Sequence, residues 1–202
     1  MNKLVVGVTG SPGCGKSTVS GMFEKLGAQV IDVDDAGRWV VDQVPVIKKS
    51  IRRQFGEGSF LPSGELDRRK LGEIVFADKN ELVKLNRIVH PFMLNRVRQL
   101  VISAQNEKYT LPYIILDAAL IFELKLNEEL DYVITVSAPL EVRIQRLCRR
   151  HGISREQAVR MTDSQLPQEE KIQLANFVIE NTDTLEILQE NVNNLHFLFM
   201  KR

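Results

Sequence analysis

Five short apolar runs punctuate the chain, and between them the apolar residues recur at helical rather than alternating intervals. Leu4 to Val8, Val30 to Asp34, Tyr113 to Asp117, Tyr132 to Val136 and Phe177 to Glu180 read as buried strands. Near-continuous runs of this kind fit parallel strands covered on both faces. Residues 18–26 place Val19, Met22, Phe23 and Leu26 at helical spacing, and Gly27 supplies a stop. A second helix, with Ala36, Val40 and Val41 on one side, follows the second strand. From 45 to about 105 the strand signals vanish. Segments 45–55, 66–76 and 80–102 carry a helical period, broken by Gly56-Glu57-Gly58 and a Ser63-Gly64 turn, with Pro91 a bend or restart. Pro139 opens a helix that runs to about Arg150 and ends at Gly152, and Ser154 with Gln157 is a capping-box signature for 155–161. Leu185, Leu188, Val192, Leu195 and Leu198 give a last helix over 185–199. The alternation predicts a doubly wound, five-stranded parallel sheet with a helical insertion, free of repeats and low-complexity linkers.

The turn after the first strand adds chemistry to this frame. Gly10-Ser11-Pro12-Gly13-Cys14-Gly15-Lys16-Ser17 matches G-x-x-x-x-G-K-[ST] in full, between a strand and a helix as that pattern requires. Glycines let successive N–H groups turn inward onto phosphate oxygens, and the following helix adds its positive end. Ser11, Pro12, Gly13, Cys14, Gly15, Lys16, Ser17 and Thr18 are therefore the expected nucleotide-binding residues. Lys16 would place a point charge on the β- and γ-phosphates, and the Ser17 hydroxyl is placed to ligate Mg²⁺. Cys14 occupies a variable loop position, where a small residue is tolerated.

Composition narrows the class without naming the reaction. The 202 residues suit one α/β domain with insertions, and 44% hydrophobic with 26% charged residues can supply a sizeable core. A formal net charge of +1 speaks against general nucleic-acid binding. No apolar run approaches the length needed to cross a bilayer, and the first residues lead straight into a strand, unlike a signal peptide. Cys14 and Cys148 make no disulfide framework, so a cytoplasmic setting is expected. The oligomeric state is not legible.

Three further clusters bear on the use of the nucleotide. Asp32 and Asp34 end the second strand, where ligands gather in doubly wound sheets, and a strand's period of two would put them on one side. Either could orient an acceptor hydroxyl and take its proton; Asp34 is favoured over the alternative of a helix cap beside a surface charge. Arg143, Arg146, Arg149 and Arg150 share one helix, with Arg143, Arg146 and Arg150 stacked at i, i+3 and i+7. The polar, proline-interrupted segment 161–171 follows, which suits a mobile lid closing arginines over a transferring phosphoryl group. Arg146 is the expected charge-neutralising residue and Arg150 its partner. The insertion carries Asp67, Arg68, Arg69 and Lys70 and then His90-Pro91, and its basic residues could hold an anionic acceptor.

Taken together, V-T-G-S-P-G-C-G-K-S-T (8–18), V-I-D-V-D-D-A-G-R (30–38), L-D-R-R-K-L (66–71), I-V-F (74–76) and L-N-R-I-V-H-P (85–91) form an ordered set. D-A-A-L-I-F-E (117–123), P-L-E-V-R-I-Q-R-L (139–147) with Arg150, and A-N-F-V-I-E-N (175–181) complete it. The chain resembles the dephospho-coenzyme A kinase family from end to end. The resemblance implies an α/β fold of the P-loop NTPase type, with a doubly wound five-stranded parallel sheet, a helical acceptor-binding insertion and a small helical lid. It implies a single kinase domain, with core about 1–44, 106–145 and 172–202, insertion about 45–105 and lid about 146–171. The implied reaction is Mg²⁺-assisted transfer of phosphate from ATP to the ribose 3′-hydroxyl of dephospho-CoA, giving coenzyme A and ADP. Neither a nucleic acid nor a membrane partner is implied. Carried over by position, Lys16 holds the phosphates, Asp34 contacts and activates the hydroxyl, and Arg146 neutralises the transferring group. Arg68, His90 and Glu123 fall at acceptor-side positions. Ala119 stands where the family usually has proline, and Arg143 where it often has glutamine. Another small-molecule or nucleoside monophosphate kinase is the nearest alternative. A GTPase would need an N-K-x-D late in the chain, which is absent, and a non-catalytic sensor would need neither the acid pair nor the arginines.

Overall fold

The computed structural model describes residues 3–107, 111–182 and 184–201, with residue 76 described by its backbone alone. The side chain of Phe76, the last letter of the I-V-F motif, thus lies outside the described residues. Strands β1 (Leu4–Gly10), β2 (Gln29–Asp32), β3 (Tyr113–Asp117), β4 (Tyr132–Ser137) and β5 (Phe177–Glu180) form one sheet. Their order is β2-β3-β1-β4-β5. Every pairing is parallel. Among the described residues the helices are α1 (Lys16–Lys25), α2 (Val33–Gln43), α3 (Pro45–Phe55), α4 (Arg68–Ala77), α5 (Lys79–Asn106), α6 (Leu140–His151), α7 (Arg155–Thr162), α8 (Gln168–Leu174) and α9 (Leu185–Met200). Short 3₁₀ turns occupy Glu57–Ser59 and Leu126–Glu129. The chain divides into two compact units, one made of residues to Asp32 and from Ser103 onward, the other of Val33–Ile102.

The sheet unit is explained by its apolar runs. β1, β3 and β4 are buried along nearly their whole length, as strands covered on both faces must be. β5, at the edge, buries only Ile179. Val6, Val8, Val19, Phe23, Ile115, Ile134, Val136 and Val192 form the core on one side of the sheet. Phe199, fully buried, packs its ring against Phe23, Tyr113, Tyr132 and Phe177. Burying one such side chain is worth about 1.5–3 kcal/mol. Leu188, Val192 and Phe199 are the buried residues of α9, and Leu195 packs partly buried against the same core, whereas Leu185 and Leu198 are 63% and 37% exposed. The buried stripe therefore runs through Phe199, one position from the expected Leu198, and begins at Leu188. Topology places the useful end of the sheet. β1 pairs with β3 on one side and β4 on the other, so the chain's direction across the sheet reverses beside β1. Ligands of doubly wound sheets bind at the strand carboxyl ends at such a reversal.

The 33–102 unit is helical, apart from an isolated antiparallel bridge between Phe60 and Leu66. α3 begins with Pro45 at its first position and ends at Gly56 with φ of 82°. The Asp67 carboxylate caps α4 by accepting from the Lys70 amide at 3.0 Å. α5 runs as one helix through Pro91 rather than restarting there, although a proline removes one helical hydrogen bond. Two arginines lie over aromatic rings, Arg52 on Phe60 at 4.2 Å and Arg96 on Trp39 at 4.1 Å.

One expectation needs correction. The second strand does not reach Asp34, so Asp32 and Asp34 do not share a strand face. β2 stops at Asp32 and Val33 opens α2. Val33, Ala36, Val40 and Val41 are all buried. Their spacing of i, i+3, i+7 and i+8 is the core-facing stripe of a helix. That stripe draws the β-branched Val33, read from sequence as strand, into the first turn of α2. Asp34 and Asp35 then sit in that turn, where negative charge is favoured.

Candidate active site

The phosphate loop leaves β1 at the reversal point and returns as α1. Gly13 and Gly15 take φ of 81° and 95°, a region costly for residues with a Cβ. Space forbids side chains there as well. A Cβ on Gly13 would stand 2.5 Å from the Arg143 carbonyl oxygen, and one on Gly15 would stand 2.0 Å from the Asn181 amide nitrogen. Cys14 between them is buried, and burial pushes its thiol upward, so it stays neutral packing rather than a reactive thiolate. The Lys16 ammonium forms an ion pair with the Asp117 carboxylate. Asp117 is the last residue of β3, buried, and in register with Val8 on one neighbour and Asp32 on the other.

A cavity of about 660 Å³ opens above this loop, within the size range of small-ligand sites. Residues 10–18 form its floor, while Arg146, Arg149, Arg150, Met161, Gln165 and Asn181 contribute to its walls. Arg146 reaches back onto the loop, donating from Nη1 to the Cys14 carbonyl at 3.4 Å and from Nη2 to the Asn181 carbonyl at 3.1 Å. The Asn181 side chain donates to the same Cys14 carbonyl at 2.8 Å. Arg143 behaves differently from its helical neighbours. It is buried and its Nε donates to the Ala138 carbonyl at 3.1 Å, so it holds α6 to the end of β4. The arginine face expected at i, i+3 and i+7 therefore splits into one structural arginine and two that line the cavity.

The segment after α6 carries α7, whose capping box the sequence announces, and then a further helix within the polar, proline-broken stretch. Ser154 and Gln157 make the full capping box of α7. A bidentate pair from Arg155 to Glu141, at 2.8 and 2.7 Å, joins α7 to α6. α8 follows, started by Pro167, and it buries Lys171 completely. Glu123 belongs to this side: its Oε1 accepts from the Leu166 amide at 2.9 Å and lies 3.2 Å from the Lys171 ammonium.

Asp34, Arg68 and His90 fall in the helical unit. Arg68 is the first residue of α4 and donates to the Asp42 carboxylate at 2.9 Å and the Arg38 carbonyl at 3.4 Å. His90 lies within α5, and burial pulls its imidazole below the usual value, so it is neutral at neutral pH.

Asp117, Asn181 and Lys171 are polar residues to which sequence reasoning gave no role. Asp117 had a readable signal, an acid closing the apolar run beside the P-loop strand, where P-loop enzymes keep a metal-holding carboxylate. Asn181 closes β5 in the same way. Lys171 had none, because a lone lysine reads as surface. The donor set suits a nucleotide with its metal. Ser17 and Asp117 offer oxygen ligands, the kind Mg²⁺ takes, with the remaining positions left to water and phosphate. The loop amides, Lys16, Arg146 and Arg150 supply the positive side.

The dephospho-CoA kinase family model matches residues 4–186. The chain belongs to the dephospho-CoA kinase family. A dephospho-CoA kinase of Bacillus licheniformis is 36% identical over 194 residues, covering 95% of this chain and 94% of the relative. A crystal structure of a Thermus thermophilus protein superposes with a TM-score of 0.80 at 32% identity, covering 98% of each chain. The dephospho-CoA kinase of Campylobacter jejuni superposes with a TM-score of 0.65 at 25% identity, again covering 98% of each. The parallel sheet with its P-loop is the fold of these kinases, and the family's members are phosphotransferases with an alcohol group as acceptor. No helix among the described residues is long and apolar enough to cross a membrane.

Proposed function

We propose that this chain transfers the γ-phosphoryl group of ATP to the ribose 3′-hydroxyl of dephospho-CoA, releasing coenzyme A and ADP in the cytoplasm. The observation that carries the reading is the Lys16–Asp117 pair at the foot of a cavity walled by Arg146 and Arg150. Phosphoryl transfer asks a protein mainly for positioning and charge stabilisation, and this cavity supplies both.

The loop amides and Lys16 hold the phosphates of ATP, with Arg150 as a further cation on the same wall. Ser17 and Asp117 would hold Mg²⁺, which neutralises charge on the β- and γ-phosphates. Lys16 exchanges its carboxylate partner for phosphate oxygens when the nucleotide binds, leaving Asp117 to the metal side. Arg146 moves from its carbonyl partners to the transferring group, a hydrogen-bonded reach the flexible side chain can make. Asp34 orients the 3′-hydroxyl and takes its proton as the oxygen attacks the γ-phosphorus and the bond to the β-γ bridging oxygen breaks. Arg68, His90 and Glu123 serve the acceptor.

The test is ADP release from Mg·ATP against a panel of dephospho-CoA, AMP, CMP, UMP and shikimate. Turnover with dephospho-CoA alone, at about 1–100 s⁻¹, is the expected result. Turnover only with a nucleoside monophosphate would overturn the acceptor assignment while leaving the phosphoryl-transfer site intact.

A further inference from the structure

Among the described residues of the sheet unit one lysine is fully buried, and the reaction as described does not use it. Lys171 of α8 has no exposed surface. An ammonium has three hydrogens to place, and three acceptors surround this one. Nζ lies 2.7 Å from the Ala119 carbonyl, 3.1 Å from Gln165 Oε1 and 3.2 Å from Glu123 Oε1. Burial pulls the ammonium below the usual lysine value, opposed by the Glu123 carboxylate. A methionine or leucine would fill the same space without the desolvation cost. Packing alone therefore does not account for a lysine here.

What the acceptors have in common is their place. Ala119 and Gln165 both line the nucleotide cavity, and Glu123 fixes the Leu166 amide next to Gln165. The Ala119 carbonyl also accepts from the Thr9 hydroxyl of β1 at 3.1 Å. Ala119 stands two residues beyond Asp117, the partner of Lys16. α8 is anchored independently: the Thr135 hydroxyl donates to the Lys171 backbone carbonyl at 3.0 Å, and the Ala138 amide donates to the Gln168 side chain at Oε1, 3.1 Å away. These two bonds do not involve the ammonium, whereas the ammonium is the group that links Ala119, Gln165 and Glu123 to one another.

We infer that Lys171 is a positioning residue for phosphoryl transfer: its ammonium ties the loop after β3, and with it Asp117, to the link between α7 and α8, as one wall of the nucleotide cavity. The inference rests on the kinase reading above. It gives the residue a role in turnover rather than in nucleotide affinity, because the groups it holds stand behind those that touch phosphate.

Lys171→Met keeps the volume and the apolar stem and removes the donors. The expected result is a cooperative melt, a fluorescent ADP analogue bound within about threefold of wild type, and kcat with dephospho-CoA lowered about a hundredfold, the scale of a small misplacement of reacting groups. Val192→Ala, a core truncation beneath α9 and away from the cavity, is the control. It should lower Tm at least as much while leaving kcat within about twofold. Unchanged kcat in Lys171→Met would overturn the inference, as would a loss of kcat matched by Val192→Ala at equal loss of Tm. Should Lys171→Met not fold, Gln165→Leu, which removes one of the three acceptors of that ammonium, takes its place. A fall of about tenfold in its kcat supports the inference, and an unchanged kcat overturns it. A wild-type protein inactive on dephospho-CoA would instead overturn the kinase reading itself, so the two failures are distinguishable.

Discussion

The sheet unit and the helical unit hold their candidate residues in opposite ways. Around the phosphate loop Asp117, Arg143, Lys171 and Asn181 are all buried, and each is tied to a named partner. In the helical unit Arg68 is half-exposed in a pair with Asp42, itself half-exposed, and His90 is half-buried within a long helix. The difference fits the recognition proposed for each half. A triphosphate is small, highly charged and always the same, so a loop braced by buried groups, with only Lys16 and Arg146 left to exchange partners, loses little on reaction. A large acceptor is met by side chains whose surface pairs are weak enough to exchange for the substrate. Buried networks should therefore govern turnover, and exposed residues should govern acceptor affinity.

Lys16→Ala gives the sharpest test of that division. Its turnover should fall by more than about a thousandfold, and Arg146→Ala should lose about 3 kcal/mol of barrier stabilisation, or roughly a hundredfold in kcat. Both are read from steady-state ADP release, with acceptor KM little changed. Asp34→Asn is the exception that marks the limit of the comparison, since Asp34 lies in the helical unit yet is proposed to act on the reacting hydroxyl. Its kcat should drop by about 10²–10⁴-fold with ATP affinity kept, as measured by nucleotide titration. Near-normal turnover would remove Asp34 from the chemistry. Arg68→Ala should raise the KM for dephospho-CoA about tenfold and leave kcat nearly unchanged, the signature of a contact equally strong in ground and transition states.

The smallest effect is expected at Glu141 and Arg155, a surface pair. The Arg155 hydrogen bonds hold the Glu141 carboxyl below the usual carboxylate range. A group whose folded value is depressed stabilises above its unfolded value, and that contribution is lost as pH falls through the folded one. Glu141→Gln should therefore lower Tm at neutral pH by less than about 3 °C, and the difference should vanish in acid.

Much of this frame was legible in the sequence, for reasons visible at single positions. β3 and β5 begin and end where their apolar, β-branched runs do, β5 between Asn176 and Asn181 and β3 between Pro112 and the small residues Ala118 and Ala119. The P-loop could be read because glycine spacing, lysine and hydroxyl are all dictated by phosphate, and the capping box of α7 because its two residues satisfy each other's backbone. The failures came where one residue served two patterns or where burial overrode type. Val33 is β-branched and also the first member of a helical stripe, and tertiary packing decided for the helix. Lys171 and Arg143 are charged and buried, supported by carbonyls that no local pattern announces. α8 has only Ile172 and Leu174 as apolar residues, too few for a period, and forms against β4 by hydrogen bonds from Thr135 and Ala138.

The central claim is a phosphoryl transfer to one hydroxyl, and ³¹P NMR of a reaction containing the protein, Mg·ATP and dephospho-CoA tests it most directly. The account predicts ADP and a new phosphomonoester on the ribose 3′-oxygen in equal amounts. ADP accompanied by inorganic phosphate, or a phosphate placed on any other oxygen, would contradict it.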